Sequence, residues 1–224
     1  MAYNFDKIAR TYDRLNRVMT LGIDRCWRKR AVHGLQGNVL DVACGTGDMA
    51  VSLAERGCTV TGVDISEEML AIARRKLSPP PNPSLQGGDV RWQVADAEQL
   101  PFPDETFDAV TCAFGIRNFV HLEKGLSEML RVLKPGGRMV ILELATPDCA
   151  FIRFFYNFYT KCIIPLLGKM IASNREAYTY LPQSIERFPK GEDFLSILGD
   201  RIAKHTTERK LTFGVCRLYT IVKC

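Results

Sequence analysis

The stretch NVLDVACGTGD (38–48) constrains this chain more than any other. Residues 38–44 are mostly apolar and fit a short buried strand, which the glycines after it interrupt at once. Beyond them, GTGDMAVSLAERG (45–57) has helical spacing and stops at Gly57. A strand running through a glycine turn into a helix is the first half of a βαβ unit, and such units build parallel sheets. Glycine in the turn lets a ligand approach the backbone, and the N–H groups at the helix start point outward to meet it.

The alternation then continues. CTVTGVDI (58–65) reads as a strand and SEEMLAIARRKL (66–77) as a helix. Ser66 stands at its N-cap, and Met69, Leu70, Ala73 and Leu77 share one face. PPPNPSLQGG (79–88) is a loop by composition, followed by strands over DVRWQVADA (89–97) and FDAVTCAF (107–114). HLEKGLSEMLRVL (121–133) is a helix closed by a KPGG turn (134–137), and RMVILELA (138–145) is a fifth strand. Ahead of this core, 3–19 and 22–34 form two helices broken at Gly22.

After Thr146 the regularity is lost. Residues 151–172 are helical and aromatic-rich, whereas 174–190, with Pro182 and Pro189, should be irregular with one short helix. A helix over 191–200 and two strands within 203–224 complete the chain. The expected fold is α/β, Rossmann-like and doubly wound: a mostly parallel seven-stranded sheet with helices on both faces and an antiparallel C-terminal hairpin at its edge. No linker or fixed-period repeat divides it. It reads as one domain, 1–224, with N-terminal lid helices (3–34) and an inserted helical cap at about 147–190.

Composition narrows the partners. Thirty basic against 25 acidic residues give a net charge of +5, too mild for a dense nucleic-acid stripe but compatible with an anionic membrane surface. Eight cysteines show no CxxC pair and no zinc spacing, so the expectation is buried reduced thiols in a cytoplasmic protein without a metal site. MAYNFDKIAR has no apolar leader stretch. The longest apolar segment, FIRFFYNFYTKCIIPLLGKMIA (151–172), is interrupted by Arg153, Lys161, Pro165 and Lys169 and does not fit a membrane span.

Three aspartates carry the chemistry. Gly45, Gly47 and Ala50 loosely fit the dinucleotide pattern GxGxxG/A, which is weak evidence by itself. Asp41, near the end of the first strand, would repel a pyrophosphate on the glycine turn but attract the ammonium and sulfonium of S-adenosylmethionine. Asp64 ends the second strand, where a carboxylate can accept both hydroxyls of a ribose. Asp96 ends the third, within reach of an adenine amino group. All three lie at the C-terminal edge of the sheet, where open α/β sheets bind ligands. S-adenosylmethionine is the favoured cofactor, and a dinucleotide is the competing one.

GTGD, DISEEML (64–70), ADAEQLPFPDETFD (95–108), AFGIRN (113–118) and LRVLKPGG (130–137) resemble class I S-adenosylmethionine-dependent methyltransferases. FDKIARTYDRLNRVMTLGIDRCWRK (5–29), AYTYLPQSIERFP (177–189) and LTFGVCRLYTIVK (211–223) extend the likeness over nearly the whole chain. They are similar to the quinone-biosynthesis C-methyltransferases that act on demethylmenaquinone and on methoxy-polyprenyl-benzoquinol. Two positions depart from that pattern: Asp24 stands where a histidine is usual, and Ala177 where a serine is usual. The resemblance implies that Thr46, Asp64, Asp96 and Ala97 contact the cofactor, with Ile65 beside them, that Gly45 and Gly47 shape the loop, and that Ala113 approaches it. It implies methylation of a prenylated quinol ring. A different hydrophobic acceptor, or a non-catalytic cofactor-binding subunit, is the alternative.

For that reaction a hydroxyl beside the target carbon must lose its proton, and the charge left on oxygen must be held. Arg117 suits the holding role, since a guanidinium with pKa above ~12 is a poor base. Its competing role is an ion pair with the N-terminal helices. Asn118 is placed to donate to the other quinol oxygen, and Tyr12, Asp13 and His121 are the base candidates, undecided among themselves. FIRFFYNFY (151–159), with six aromatics, reads as cap packing, a tunnel for a polyprenyl tail, or a surface that meets the inner face of a membrane. The remaining expected partner is a second copy in a homodimer.

Overall fold

Seven strands form one sheet in the order β3-β2-β1-β4-β5-β7-β6. They are β1 Asn38–Val42, β2 Thr59–Asp64, β3 Val90–Val94, β4 Phe107–Ala113, β5 Leu133–Leu144, β6 Thr206–Leu211 and β7 Cys216–Val222. The computed structural model describes residues 6, 9–77, 88–164, 175–199, 202 and 205–224; for 10, 11, 15, 161 and 175–179 it describes the backbone alone. β1 to β5 pair in parallel, and β7 runs antiparallel between β5 and β6. The expected terminal hairpin is therefore present at the sheet edge.

Among the described residues, eight α-helices surround the sheet: α1 Ala9–Met19, α2 Asp24–Ala31, α3 Asp48–Ala54, α4 Glu67–Leu77, α5 Leu122–Val132, α6 Ala150–Phe158, α7 Arg175–Arg187 and α8 Glu192–Leu198. The central strands β1 and β4 are buried on both sides because both faces of the sheet are covered there. Leu40 and Val42 of β1 pack in a cluster with Leu126 and Met129 of α5 and Phe194 of α8. Val39 faces the other way, with Trp27 and Ala31 of α2 and Met49 and Leu53 of α3. Each such buried side chain contributes roughly 1.5–3 kcal/mol. Ser66 caps α4 as its position suggests: its Oγ accepts the Met69 N–H at 3.2 Å.

Four local expectations are corrected. KPGG does not close a turn; β5 runs through it, and the register against β4 jumps from Phe107↔Leu133 to Ala109↔Arg138, so residues 134–137 form a bulge. Gly136 takes a left-handed φ of +73° there, and its N–H reaches the Lys223 carbonyl. Asp96 lies just beyond β3, in an isolated bridge to Gln99. The segment expected to be irregular holds the thirteen-residue α7, with Pro182 inside it. A helix-internal proline costs ~3 kcal/mol, and burial of Leu181, Pro182 and Ile185 against an apolar chamber offsets it. All eight cysteines are free, but Cys26, Cys149, Cys162 and Cys224 are exposed rather than buried.

The aromatic helix α6 continues through a wider π turn, Tyr159–Ile163. Lys169 and the rest of the expected helix beyond Ile164 lie outside the described residues. Among the described residues no helix is long and apolar enough to cross a membrane.

Candidate active site

The strand order reverses at β1 and β4, and the chain is strained where both strands end. Ala43 follows β1 with φ +52° and Phe114 follows β4 with φ +59°. Left-handed backbone at non-glycine residues costs on the order of 1–3 kcal/mol each and concentrates at functional sites. Gly115 lies between them: a Cβ there would sit 2.6 Å from the Ala43 Cβ. Only glycine lets the two turns approach this closely. AFGIRN thus closes β4 at Ala113, bends at Phe114, and makes one 3-10 turn over Ile116–Asn118.

On one side of this junction lies a cleft of about 300 Å³. Tyr12, Gly45, Asp64, Ile65, Asp96 and Ala97 line it. The Asp64 carboxylate accepts the Gly45 N–H on one oxygen and the Ser66 N–H on the other, at 2.8 and 2.9 Å. Burial raises its pKa, and those two donors pull the other way. Asp96 accepts the Glu98 N–H at 2.8 Å. Each carboxylate oxygen holding one N–H keeps a lone pair for a further donor.

Other expected cofactor residues sit behind this surface. Gly47, with φ +82°, has no room for a Cβ: one would lie 2.5 Å from the Trp92 ring. Asp41 is fully buried in β1, and the Thr111 hydroxyl donates to its Oδ1 at 2.8 Å while Oδ2 has no partner. Burial pushes its pKa up to about 7. Thr46 is buried and donates to Asp13, and Lys76 pairs with both Asp13 and Asp48 at 2.6 Å. That network fastens α1 over the glycine turn. It engages both Asp13 carboxylate oxygens, one with Lys76 and one with Thr46. Ala113 also lies outside the cleft lining, in the core cluster that holds Phe114.

On the other side lies an apolar chamber, again about 300 Å³. Met19, Trp27, Ile152, Tyr156, Tyr159 and Ile185 are among its walls. Phe114 borders both cavities. Arg117 borders the chamber and Asn118 the cleft. The Arg117 side chain is only 5% exposed, and its Nη1 donates to Glu143 Oε1 and to the Phe114 carbonyl, both at 2.6 Å. Burial, the largest single influence, lowers its pKa, but the charge and hydrogen bond of Glu143 together with nearby Tyr12 and Tyr180 outweigh it and the net shift is upward. Its Nε has no partner. Arg117 is therefore not surface, and its ion pair is with β5 rather than with the N-terminal helices.

The whole chain can now be set beside known proteins. It matches the ubiE/COQ5 methyltransferase family over residues 2–223. The chain belongs to this family. Among its relatives, the ubiquinone/menaquinone biosynthesis C-methyltransferase UbiE of Geobacter sulfurreducens is 44% identical over 96% of this chain and 85% of its own. The demethylmenaquinone methyltransferase of Thermus thermophilus is also 44% identical, over 96% of this chain and 97% of its own. Among solved structures, a SAM-dependent methyltransferase from Aquifex aeolicus shares the fold at TM-score 0.62 and 18% identity, covering 95% of this chain and 98% of that one.

The cleft of this ubiE/COQ5 family member fits S-adenosylmethionine. Asp64 presents a carboxylate with free acceptor capacity at the end of β2, and Ile65, Phe119 and Val120 supply apolar walls for a flat base beside Asp96. Among the described residues no group of three or more His, Cys, Asp or Glu side chains is placed to hold a metal.

Some site residues escaped the sequence. Glu143 is a lone acid in the apolar strand RMVILELA, and that isolation is a usable signal for a buried partner. Tyr180, whose hydroxyl donates to Asn118 Oδ1 at 2.7 Å, and Tyr156, whose pKa burial raises to about 12, had no such signal. Asp24 lines the chamber as its one carboxylate among the described residues. Thr20 and Arg28 both donate to it. His121 stands mostly exposed at the cleft rim, its ring hydrogen-bonded to Glu98 at 2.7 Å.

Proposed function

We propose that this methyltransferase uses S-adenosylmethionine to methylate a ring carbon of a prenylated quinol, demethylmenaquinol to menaquinol or its ubiquinone-pathway counterpart. One observation carries the reading: a single strained turn, Phe114 to Asn118, separates a cleft that carries the Asp64 and Asp96 carboxylates among apolar walls from a more apolar chamber. A cationic donor and a greasy aromatic acceptor require that pairing of environments. The names of the relatives agree with it.

Bound S-adenosylmethionine supplies an electrophilic methyl group. Asp64 and Asp96 hold it, with Gly45, Ile65 and Ala97 shaping the cleft and Asp41, Thr46, Gly47 and Ala113 supporting them from behind. Arg117 remains cationic in a dry wall, where its charge steadies a phenolate more than it would in water. Asn118, with its carbonyl oxygen held by Tyr180, keeps its N–H₂ group as a donor at the junction. Tyr12 lines the cleft near Arg117. We assign it a relay role, its hydroxyl accepting the quinol proton as it passes its own towards solvent, because Asp13 is committed to Lys76 and Thr46.

The acceptor's tail belongs in the chamber, and α6 gives the chamber an outer aromatic face. Phe151, Phe154 and Phe158 are exposed there, while Arg153 folds back onto the Pro147 and Asp148 carbonyls. The reading places a cytoplasmic enzyme at the inner membrane face with this helix against the bilayer. A homodimer covering the same face is the other occupant, and light scattering with and without vesicles separates the two. The decisive assay supplies reduced demethylmenaquinone and a demethyl-benzoquinol and resolves the products by mass. A gain of one methyl on a ring carbon is expected; no transfer to either acceptor would sink the assignment.

A further inference from the structure

α2 and the segment 209–213 border two surfaces at once. Their inner sides close the chamber, where Trp27 Nε1 donates to Thr212 Oγ1 at 2.9 Å. Their outer sides line a separate open groove of about 930 Å³. Lys29, Arg30 and His33 face it from α2 and the turn after it, Arg209 and Lys210 from β6, and Arg138 from β5. No carboxylate is among its lining residues. Lys210 pairs with Asp148, whereas Lys29, Arg30, Arg138 and Arg209 make no ion pair among the described residues. Four unpaired like charges repel one another, and an anionic surface removes that penalty.

The seam between groove and chamber is apolar and exposed. Leu21 and Ile23 lie at the chamber mouth, 73% and 37% exposed, and Phe213 is 78% exposed on a left-handed backbone. Cations and exposed apolar side chains carried on the same two chain segments fit the boundary between headgroups and acyl chains. A nucleic acid would satisfy the cations but leave Leu21, Ile23 and Phe213 in water. We propose that this groove binds the anionic headgroups of a lipid bilayer and seats the chamber mouth on the membrane that carries the prenylated acceptor. The proposal rests on the quinol reading for its purpose, though not for its measurement.

The test is sedimentation of the full chain with phosphatidylcholine vesicles, with and without phosphatidylglycerol, over a range of salt. Wild type should bind the anionic vesicles, less so as salt rises. Arg30→Glu/Arg209→Glu should bind more than ~25-fold more weakly, taking about fivefold per cation. Its Tm and its turnover of a water-dispersible short-chain quinol should match wild type. Arg30→Gln/Arg209→Gln, a milder change, should fall between. Equal partition of wild type and both variants would overturn the proposal, and so would tighter binding to duplex RNA or DNA than to anionic vesicles. If wild type fails to turn over the short-chain quinol, the quinol reading falls by itself, since vesicle binding is measured without turnover.

Discussion

Arg117 carries a full charge in a wall that is nearly dry, and Glu143 is what makes this tolerable. Removing one partner of a buried pair costs about 3–5 kcal/mol, because the other charge is left without compensation. Arg117→Ala should therefore lose stability as well as rate, and the two effects must be separated. In Arg117→Ala/Glu143→Gln the stranded charge is gone. That double variant should recover most of the melting temperature yet keep kcat more than about tenfold below wild type, with S-adenosylmethionine affinity unchanged. A double variant that regains full rate would reduce Arg117 to a packing residue. Asp41 makes a second prediction at this scale. Its folded pKa of about 7 lies above the ordinary aspartate value of 3.8, so between those values the folded chain holds a proton that the unfolded chain has released. Stability in the absence of cofactor should thus fall as pH rises from about 4 to 7, by on the order of 4 kcal/mol for this group. Asp41→Asn should flatten that slope in denaturant titrations across the same window; an unchanged slope would place the titration elsewhere.

The ends of β1 and β4 act as one element. Ala43 and Gly115 touch across the reversal in strand order, and both line the cleft. Gly115→Ala inserts a methyl group 2.6 Å from the Ala43 Cβ, an atom fixed to the backbone that cannot turn away. Overpacking of this kind costs ~1–3 kcal/mol, or roughly 2–4 °C in Tm per kcal/mol for a chain of this size. The substitution should weaken cofactor binding in calorimetry as well as lower Tm. Normal affinity would show that the two turns move independently. The α7 segment teaches the converse lesson. Pro182 and Pro189 argue locally against a long helix, but Leu181 and Ile185 have an apolar chamber to fill, and tertiary burial outweighs one missing N–H.

Over the whole molecule, a ligand that binds the native cleft and not the unfolded chain must stabilise the entire fold. S-adenosylmethionine at 100 times its Kd should add about 2.7 kcal/mol and raise Tm, whereas NAD should leave it unmoved. A shift with NAD alone would revive the dinucleotide reading of the glycine turn. Much of this molecule was legible in one dimension. Alternating strand and helix patterns specify the doubly wound sheet, and parallel strands necessarily bring residues such as Asp64 to one edge, with Asp96 just beyond β3. Periodicity also showed which faces are buried, because side-chain direction repeats with the backbone. What it left open is which side chains meet. Arg117 with Glu143, Asp13 with Lys76, Asp24 on the chamber wall, and Arg30 beside Arg209 in one groove are all pairings between distant segments. They depend on strand register and helix docking, which no local pattern encodes, and so the sequence by itself determined the scaffold and its ligand edge, while only tertiary packing decided that Phe114 would divide the edge into an aspartate-bearing cleft and an apolar chamber.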